Sequence, residues 1–351
     1  NSKIIISFMI YLLFRTDRIG DFLMIAPLIE SIKRNDLNSQ IYIVGSKKNF
    51  DYLDKNSLVD KVFLLKSNNL ISKIRLFFKL RKYKLDTVIV TDKKNRSIIL
   101  SFFLSANKKI FNVSKNFQSK LLSFFYKSVF LDNDTLIKKP FKKILKKNCE
   151  ALGFDLVNDD FHYLQEDQYK NYFLPNTLLD LDKLEYIIYH YDEKWEIENY
   201  VKSFKKASNL TPISTNSEKI LKFLFKLTKK TNKKIIITTG AINTRLVEIL
   251  KLNSKLVDKN LYEITTHDVK SYLLINQDFF SMSHLISKSK LFIACHGAFT
   301  HIASNYKVKT IDIIEKEKLA HYSRITNHMG NHKHLYRDNF TNLSENIISN
   351  S

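Results

Sequence analysis

Short apolar runs, each cut off by a charged or polar turn and followed by a segment with helical spacing, recur along the whole chain. In the first half, residues 9–14, 41–44, 61–65 and 87–90 read as buried strands, and 22–33, 51–55, 71–82 and 97–105 as helical segments. On 22–33 the residues Phe22, Ile25, Ala26, Ile29 and Ile32 fall on one face. Strand, helix, strand at this spacing means right-handed βαβ crossovers and a mostly parallel sheet. A helix over 141–152 ends at Gly153, a residue that tolerates the left-handed conformation closing many helices. The second half repeats the pattern, with strands at 186–190, 234–239, 291–295 and 310–314 and helices at 197–207, 219–230, 244–251, 280–287 and 299–306. Between the two series, 161–176 is polar and aromatic, contains Pro175 and has no sustained period.

The fold class expected is therefore α/β, two Rossmann-like domains with parallel sheets facing across a cleft and ligands at the carboxyl ends of the strands. The boundaries read 1–165 for the N-terminal domain, 166–180 for a linker, 181–335 for the C-terminal domain, and 336–351 for a tail whose helix returns to the N-terminal domain. A chain of 351 residues, 44% apolar, can fill two such cores. The opening apolar run, 4–14, is too short for the ~18–20 residues of a membrane span and meets Arg15, Asp17, Arg18 and Asp21 at once, so it reads as a strand. Cys149 and Cys295 cannot build a disulfide framework and read as reduced cytosolic thiols.

A net charge of +22 directs attention to acidic partners: nucleic acid, anionic lipid or phosphorylated substrates. An abundance of Lys, Asn and Ile, with only 6 Gly and 4 Pro, is also what an AT-rich genome produces. The distribution is more informative than the total. Residues 1–150 hold 30 Lys+Arg against 12 Asp+Glu, and 151–351 hold 27 against 23. The excess belongs to the N-terminal half. A nucleic-acid-binding role is disfavoured, because the basic residues are dispersed and no helix-turn-helix, zinc or RNP pattern accompanies them.

Four strand-end turns carry the candidate chemistry. The first runs Arg15-Thr16-Asp17-Arg18-Ile19-Gly20-Asp21, with Pro27 beyond it. Gly20 allows a tight turn, and Asp21 is placed either to cap the following helix or to act as a general base at the mouth of a cleft. The second, Cys295-His296-Gly297-Ala298-Phe299-Thr300-His301, leads from a strand straight into a helix whose N-terminus suits a diphosphate. His296 and His301 are five apart, which is not the helical zinc spacing, so hydrogen bonding to phosphate is the better role. Tyr191-Asp192-Glu193-Lys194-Trp195 offers a cation and a packing anchor, and Thr238-Thr239-Gly240 is a fourth loop. His321, His328, His332 and His334 lie in a polar segment expected to loop, with spacing that fits no standard metal site.

Taken in order, these loops resemble glycosyltransferase family 9, the ADP-heptose:lipopolysaccharide heptosyltransferase-like enzymes of GT-B fold. The resemblance spans nearly the whole chain: Arg18-Ile19-Gly20-Asp21 with Pro27 is similar to the opening R-I-G-D…P element, Lys194-Trp195 to a K-W element, Gly240 to a T-G loop, and Gly297 to Ala303 to D-T-G-x-x-H-x-A. It implies that Asp21 is the catalytic base of an inverting, metal-independent transfer without a cofactor, and that Arg18 and Gly20 lie on the acceptor side. Lys194, Gly240, His296, Gly297, Ala298 and His301 would bind the nucleotide-diphosphate donor, ADP-heptose by default. The acceptor would be lipopolysaccharide core or another acidic lipid-linked glycan, bound by the basic N-terminal domain of a cytoplasmic bacterial enzyme in peripheral contact with the anionic inner membrane. His296-Gly297-Ala298 departs from the family's Asp-Thr-Gly, and the acidic residue often found after the Gly240 loop is replaced by Ala241, Ile242 and Asn243. A sugar-nucleotide-binding protein without turnover is the rival that these departures suggest.

Overall fold

The computed structural model describes residues 8–112, 128–130, 139–157, 175–196, 213, 215–242 and 244–351. The chain divides into two compact units, Asn1–Tyr172 and Phe173–Ser351.

The first unit is built on six parallel strands: β1 (Met9–Phe14), β2 (Ser39–Ser46), β3 (Lys61–Leu65), β4 (Leu85–Val90), β5 (Ala106–Phe111) and β6 (Ser128–Phe130). Their order is β3-β2-β1-β4-β5-β6, so the winding reverses between β1 and β4. Leu12, Phe14, Val44, Val88 and Val90 share a core with Leu76, Leu80 and Leu100 from the covering helices. The four expected strands are present. β5 escapes a hydrophobicity reading because Lys108 and Lys109 interrupt it; Lys109 is buried and its Nζ donates to the Phe102 carbonyl at 2.8 Å. Burial pushes that ammonium down to about 8.

The helix expected over 22–33 is two, Ile19–Leu23 and Ala26–Asn35. Pro27 sits in the first turn of the second helix, where its missing N–H costs nothing, and it could not have continued the first. Helix Phe141–Leu152 closes as expected, with Gly153 left-handed at φ 83°.

The second unit carries eight strands: β7 (Tyr186–Tyr191), β8 (Lys234–Thr239), β9 (Lys255–Asp258), β10 (Leu261–Thr266), β11 (Val269–Leu274), β12 (Leu291–Cys295), β13 (Lys309–Ile314) and β14 (His332–Tyr336). The order is β14-β13-β12-β7-β8-β11-β10-β9. Without β9 and β10 the winding is that of the first unit, and it reverses between β7 and β12. The sheet is not wholly parallel: β9, β10 and β11 form an antiparallel meander on one edge. The alternating pattern of 261–274 is the signal for it.

The expected linker holds a short helix, Asn176–Leu181, introduced by Pro175. The helix expected over 197–207 lies outside the described residues. The tail forms a helix, Phe340–Asn350. Phe340, Leu343 and Ile347 are buried in the second unit's own core beside Ile220, Phe223 and Leu227, which consumes the helix's apolar face. No helix among the described residues is long and apolar enough to cross a membrane.

Candidate functional site

At the β7/β12 switch point three turns of the second unit close on one another. Asp192 leaves β7 and caps the short 3-10 turn Glu193–Trp195 by accepting the Lys194 N–H at 3.1 Å. Trp195 is fully buried beneath the turn, stacked on Tyr191, and its Nε1 donates to the His190 carbonyl at 2.8 Å. With that anchor in place, the Lys194 ammonium lies 2.8 Å from Asp192 Oδ2 and donates to the carbonyls of Cys295 at 3.2 Å and His296 at 2.8 Å. Burial works against this charge, but Asp192 outweighs it and holds the ammonium pKa above its ordinary value. Lys194 thus ties the β7 turn to the β12 turn, and its three donors are occupied by protein.

Two glycines make the approach possible. A Cβ on Gly297 would lie 2.7 Å from Lys194 Nζ, and one on Gly240 would lie 2.9 Å from Asp192 Cβ and 2.9 Å from Glu193 Oε2. The group nearest to Gly297 is thus the chain's own lysine. Gly297 precedes helix Ala298–Asn305, and its N–H reaches Thr300 Oγ1 at 3.3 Å.

His296 Nδ1 is 2.7 Å from Oδ2 of Asp312, a fully buried carboxylate in the middle of β13. Burial opposes the charge of Asp312, yet His296 and His332 pull its pKa below the usual carboxylate range. His301 is buried on the adjoining helix with its ring 5.4 Å from that of His296, and burial pushes its pKa well down. It is a neutral donor or acceptor, not a cation. Arg337, just past β14, braces the group by donating to the Lys194 carbonyl at 2.7 Å. Burial drives the Cys295 thiol up to about 12 and Cys149 to about 11, which excludes either as a thiolate nucleophile at neutral pH.

At the β1/β4 switch point of the first unit, the Arg18 N–H donates to Asp21 Oδ2 at 3.2 Å, so the capping role is present. The other Asp21 oxygen stands 3.5 Å from Arg15 Nη2, and the side chain is 48% exposed. Arg15 itself is buried, donating to the carbonyls of Asp21 at 2.9 Å and Thr91 at 2.6 Å. Asp92 Oδ2 accepts from Thr16 Oγ1 at 2.6 Å and Ser97 Oγ at 2.7 Å, fixing the β1 turn to the β4 turn. Arg18 is exposed, and Gly20 sits in the first turn of the helix rather than in the loop before it.

Sequence reasoning missed Asp92, Asp192, Asp312 and Arg337. Asp312 had a signal: it is the one acidic residue in the apolar strand Lys-Thr-Ile-Asp-Ile-Ile. The histidines expected in a loop need correction too. His321 is on helix Leu319–Thr326, while His332 and His334 lie on β14.

No protein-family model and no curated protein matches the chain. Solved structures do. Escherichia coli heptosyltransferase WaaC with ADP-2-deoxy-2-fluoro heptose is 12% identical at a TM-score of 0.65, covering 98% of this chain and 100% of that one. A glycosyl transferase family 9 structure from Veillonella parvula is 12% identical at 0.68, with 97% and 91% covered. ADP-heptose lps heptosyltransferase II from E. coli is 10% identical at 0.64, with 97% covered of each. The fold is GT-B. At these identities the likeness carries the GT-B fold, not the chemistry, which has to be argued from the residues.

Proposed function

We propose that the chain is an inverting glycosyltransferase that moves a sugar from a nucleoside-diphosphate donor to a lipid-linked glycan. The observation that carries this reading is the pair of ordered turns at the two switch points, within a GT-B fold matched over nearly the full chain. Asp21 would take the acceptor hydroxyl proton as the oxygen attacks the anomeric carbon. The bond from that carbon to the diphosphate oxygen breaks, and the nucleoside diphosphate leaves with the electron pair. The carboxylate suits a base because one oxygen is engaged in capping and the side chain remains half-exposed.

The second unit would receive the donor. The N–H groups opening helix Ala298–Asn305, with Gly240, His296, Gly297, Ala298 and His301 around them, would meet the diphosphate, while Lys194 holds the turn from beneath and supplies positive charge. This arrangement stabilises a leaving diphosphate without a divalent ion at the reacting centre. WaaC is described with ADP-2-deoxy-2-fluoro heptose, so ADP-heptose is the first donor to try. The acceptor would be lipopolysaccharide core on the basic first unit, with Arg18 and Gly20 on its side. Helix Leu70–Leu80 there exposes Leu70, Ile71, Ile74 and Phe78 among Lys73, Arg75 and Lys79, a composition suited to an anionic inner membrane. A second aromatic and basic stretch of the sequence, Lys120-Leu121-Leu122-Ser123-Phe124-Phe125-Tyr126-Lys127, lies outside the described residues.

A sugar-nucleotide-binding protein without turnover is favoured by one observation, that the Lys194 donors are all engaged by protein. A thermal-shift panel of ADP-, GDP-, UDP- and dTDP-sugars, followed by mass spectrometry of extracted lipid-linked glycan, separates the readings. A transferase gives a donor-dependent rise in melting temperature and a sugar mass added to the acceptor. Binding alone gives the rise without product, and no rise with any donor removes both.

A further inference from the structure

Asp312, His332 and His334 form a cluster that the proposed transfer does not use. β13 and β14 are parallel neighbours in the register Thr310↔His332 and Asp312↔His334. Alternation along a strand puts His332 and His334 on one face of β14, and the register brings both beside the Asp312 side chain. His332 Nε2 is 3.1 Å and His334 Nε2 is 3.7 Å from the same oxygen, Asp312 Oδ2. These three ligand atoms lie within 4.8 Å of one another. A tetrahedral zinc ion with bonds of about 2.0–2.2 Å separates its ligand atoms by about 3.3 Å, so only small side-chain movements would be needed.

We propose that Asp312, His332 and His334 bind a divalent transition-metal ion, zinc by the chemistry of the set, on the β13–β14 side of His296. Two neutral imidazoles and a carboxylate are ligands that zinc accepts. The alternative use of the cluster is a poor one: His296 Nδ1, at 2.7 Å, also bears on Asp312 Oδ2, so three ring nitrogens crowd one oxygen. A cation between the two β14 rings and the carboxylate resolves the crowding, leaving His296 to orient the carboxylate from outside as a hydrogen-bond donor. Thr300 Oγ1, at 3.3 Å from Asp312 Oδ1, steadies the other oxygen. His334 Nε2 would exchange its 3.3 Å contact with Thr326 Oγ1 for the metal. The three ligands are little exposed, and with a water as the fourth ligand the ion would pin β14 to β13 and, through Asp312, hold the His296 side chain.

The test uses the full chain without a histidine tag. Metal content is measured as purified, and chelator-stripped protein is then titrated with Co2+. The expected result is about one ion per chain, the intense visible absorption of tetrahedral Co2+, and a melting temperature that rises on addition of Zn2+. H332A and H334A should each lose the absorption, while H321A, changed at an exposed histidine on the neighbouring helix, should keep it. Wild-type protein that takes up no Co2+, or whose tetrahedral absorption persists in both H332A and H334A, overturns the proposal. The wild-type titration decides the matter even if those variants fail to fold.

Discussion

The two units share one winding order, yet their switch-point turns are held in different ways. In the first unit Lys94 reaches Asp17 at 3.0 Å with its side chain 48% exposed, and Asp21 is similarly open. In the second, Lys194 reaches Asp192 at 2.8 Å with 18% exposure, and the same ammonium binds two carbonyls of the facing turn. The same pair of residue types is thus a solvated contact in one turn and a buried fastening in the other. Charge left open is available to an incoming group, whereas charge spent on the protein sets the shape of a turn in advance. That division suits a reaction in which a mobile acceptor is deprotonated at one turn and a diphosphate is met by fixed dipoles at the other.

The comparison breaks most visibly at the lysines. Lys194→Met leaves the Asp192 carboxylate buried without its cation and should cost about 3–5 kcal/mol of unfolding free energy. Lys94→Met should cost less than about 1 kcal/mol, the ordinary worth of an exposed pair. Urea denaturation of the two variants checks the contrast, and equal losses would remove it.

Acid should also distinguish the units, since nine of the ten histidines lie in the second. Burial holds His190 at about 4, below the 6.5 of an unperturbed imidazole. Between those values the unfolded chain binds a proton that the folded chain refuses, so stability is intact above pH 6.5 and falls as the pH drops towards 4. The full gap is worth roughly 3 kcal/mol, and His301 acts in the same direction. Hydrogen exchange at pH 7 and pH 5, corrected for intrinsic rates, should show protection falling in β7, β8 and β12 while β1 and β4 change little. Equal losses in both sheets would be the contrary result.

A smaller effect is expected from Gly297→Ala, whose Cβ would press on Lys194 Nζ. The ammonium end can shift, so folding should survive, but the turn would move with it. A roughly tenfold to hundredfold rise in donor KM is expected, with little change in melting temperature. Unchanged donor KM would mean that Lys194 does not set the turn.

How much of this was legible in the sequence follows from which forces are local. Strands such as β3, β8 and β12 and helix Phe141–Leu152 are marked by apolar periodicity and a closing glycine, and they stand where the pattern puts them. The R-I-G-D and His-Gly turns could be located for the same reason: a strand-end turn is a local event. Lys109 hid β5, because a buried lysine is paid for by a carbonyl several residues away and reads as surface in the sequence. The Lys194 contacts to the Cys295 and His296 carbonyls and the Asp312 cluster were not legible, since they depend on the pairing of β7 with β12 and of β13 with β12 and β14, which no single segment encodes. The tail helix shows its apolar face in the sequence, but the surface that receives Phe340, Leu343 and Ile347 is not visible there.

Asp21→Asn should have the least effect on the fold and a large effect on the reaction. Asparagine can still accept the Arg18 N–H that caps the helix, so the melting temperature should hold within a few degrees. It cannot take a proton from the acceptor. With donor binding shown to be intact by the same thermal shift as the wild type, transfer to the lipid-linked glycan should fall by about 10²–10⁴-fold. A variant that binds donor and transfers sugar at the wild-type rate would contradict the assignment of Asp21 as the base.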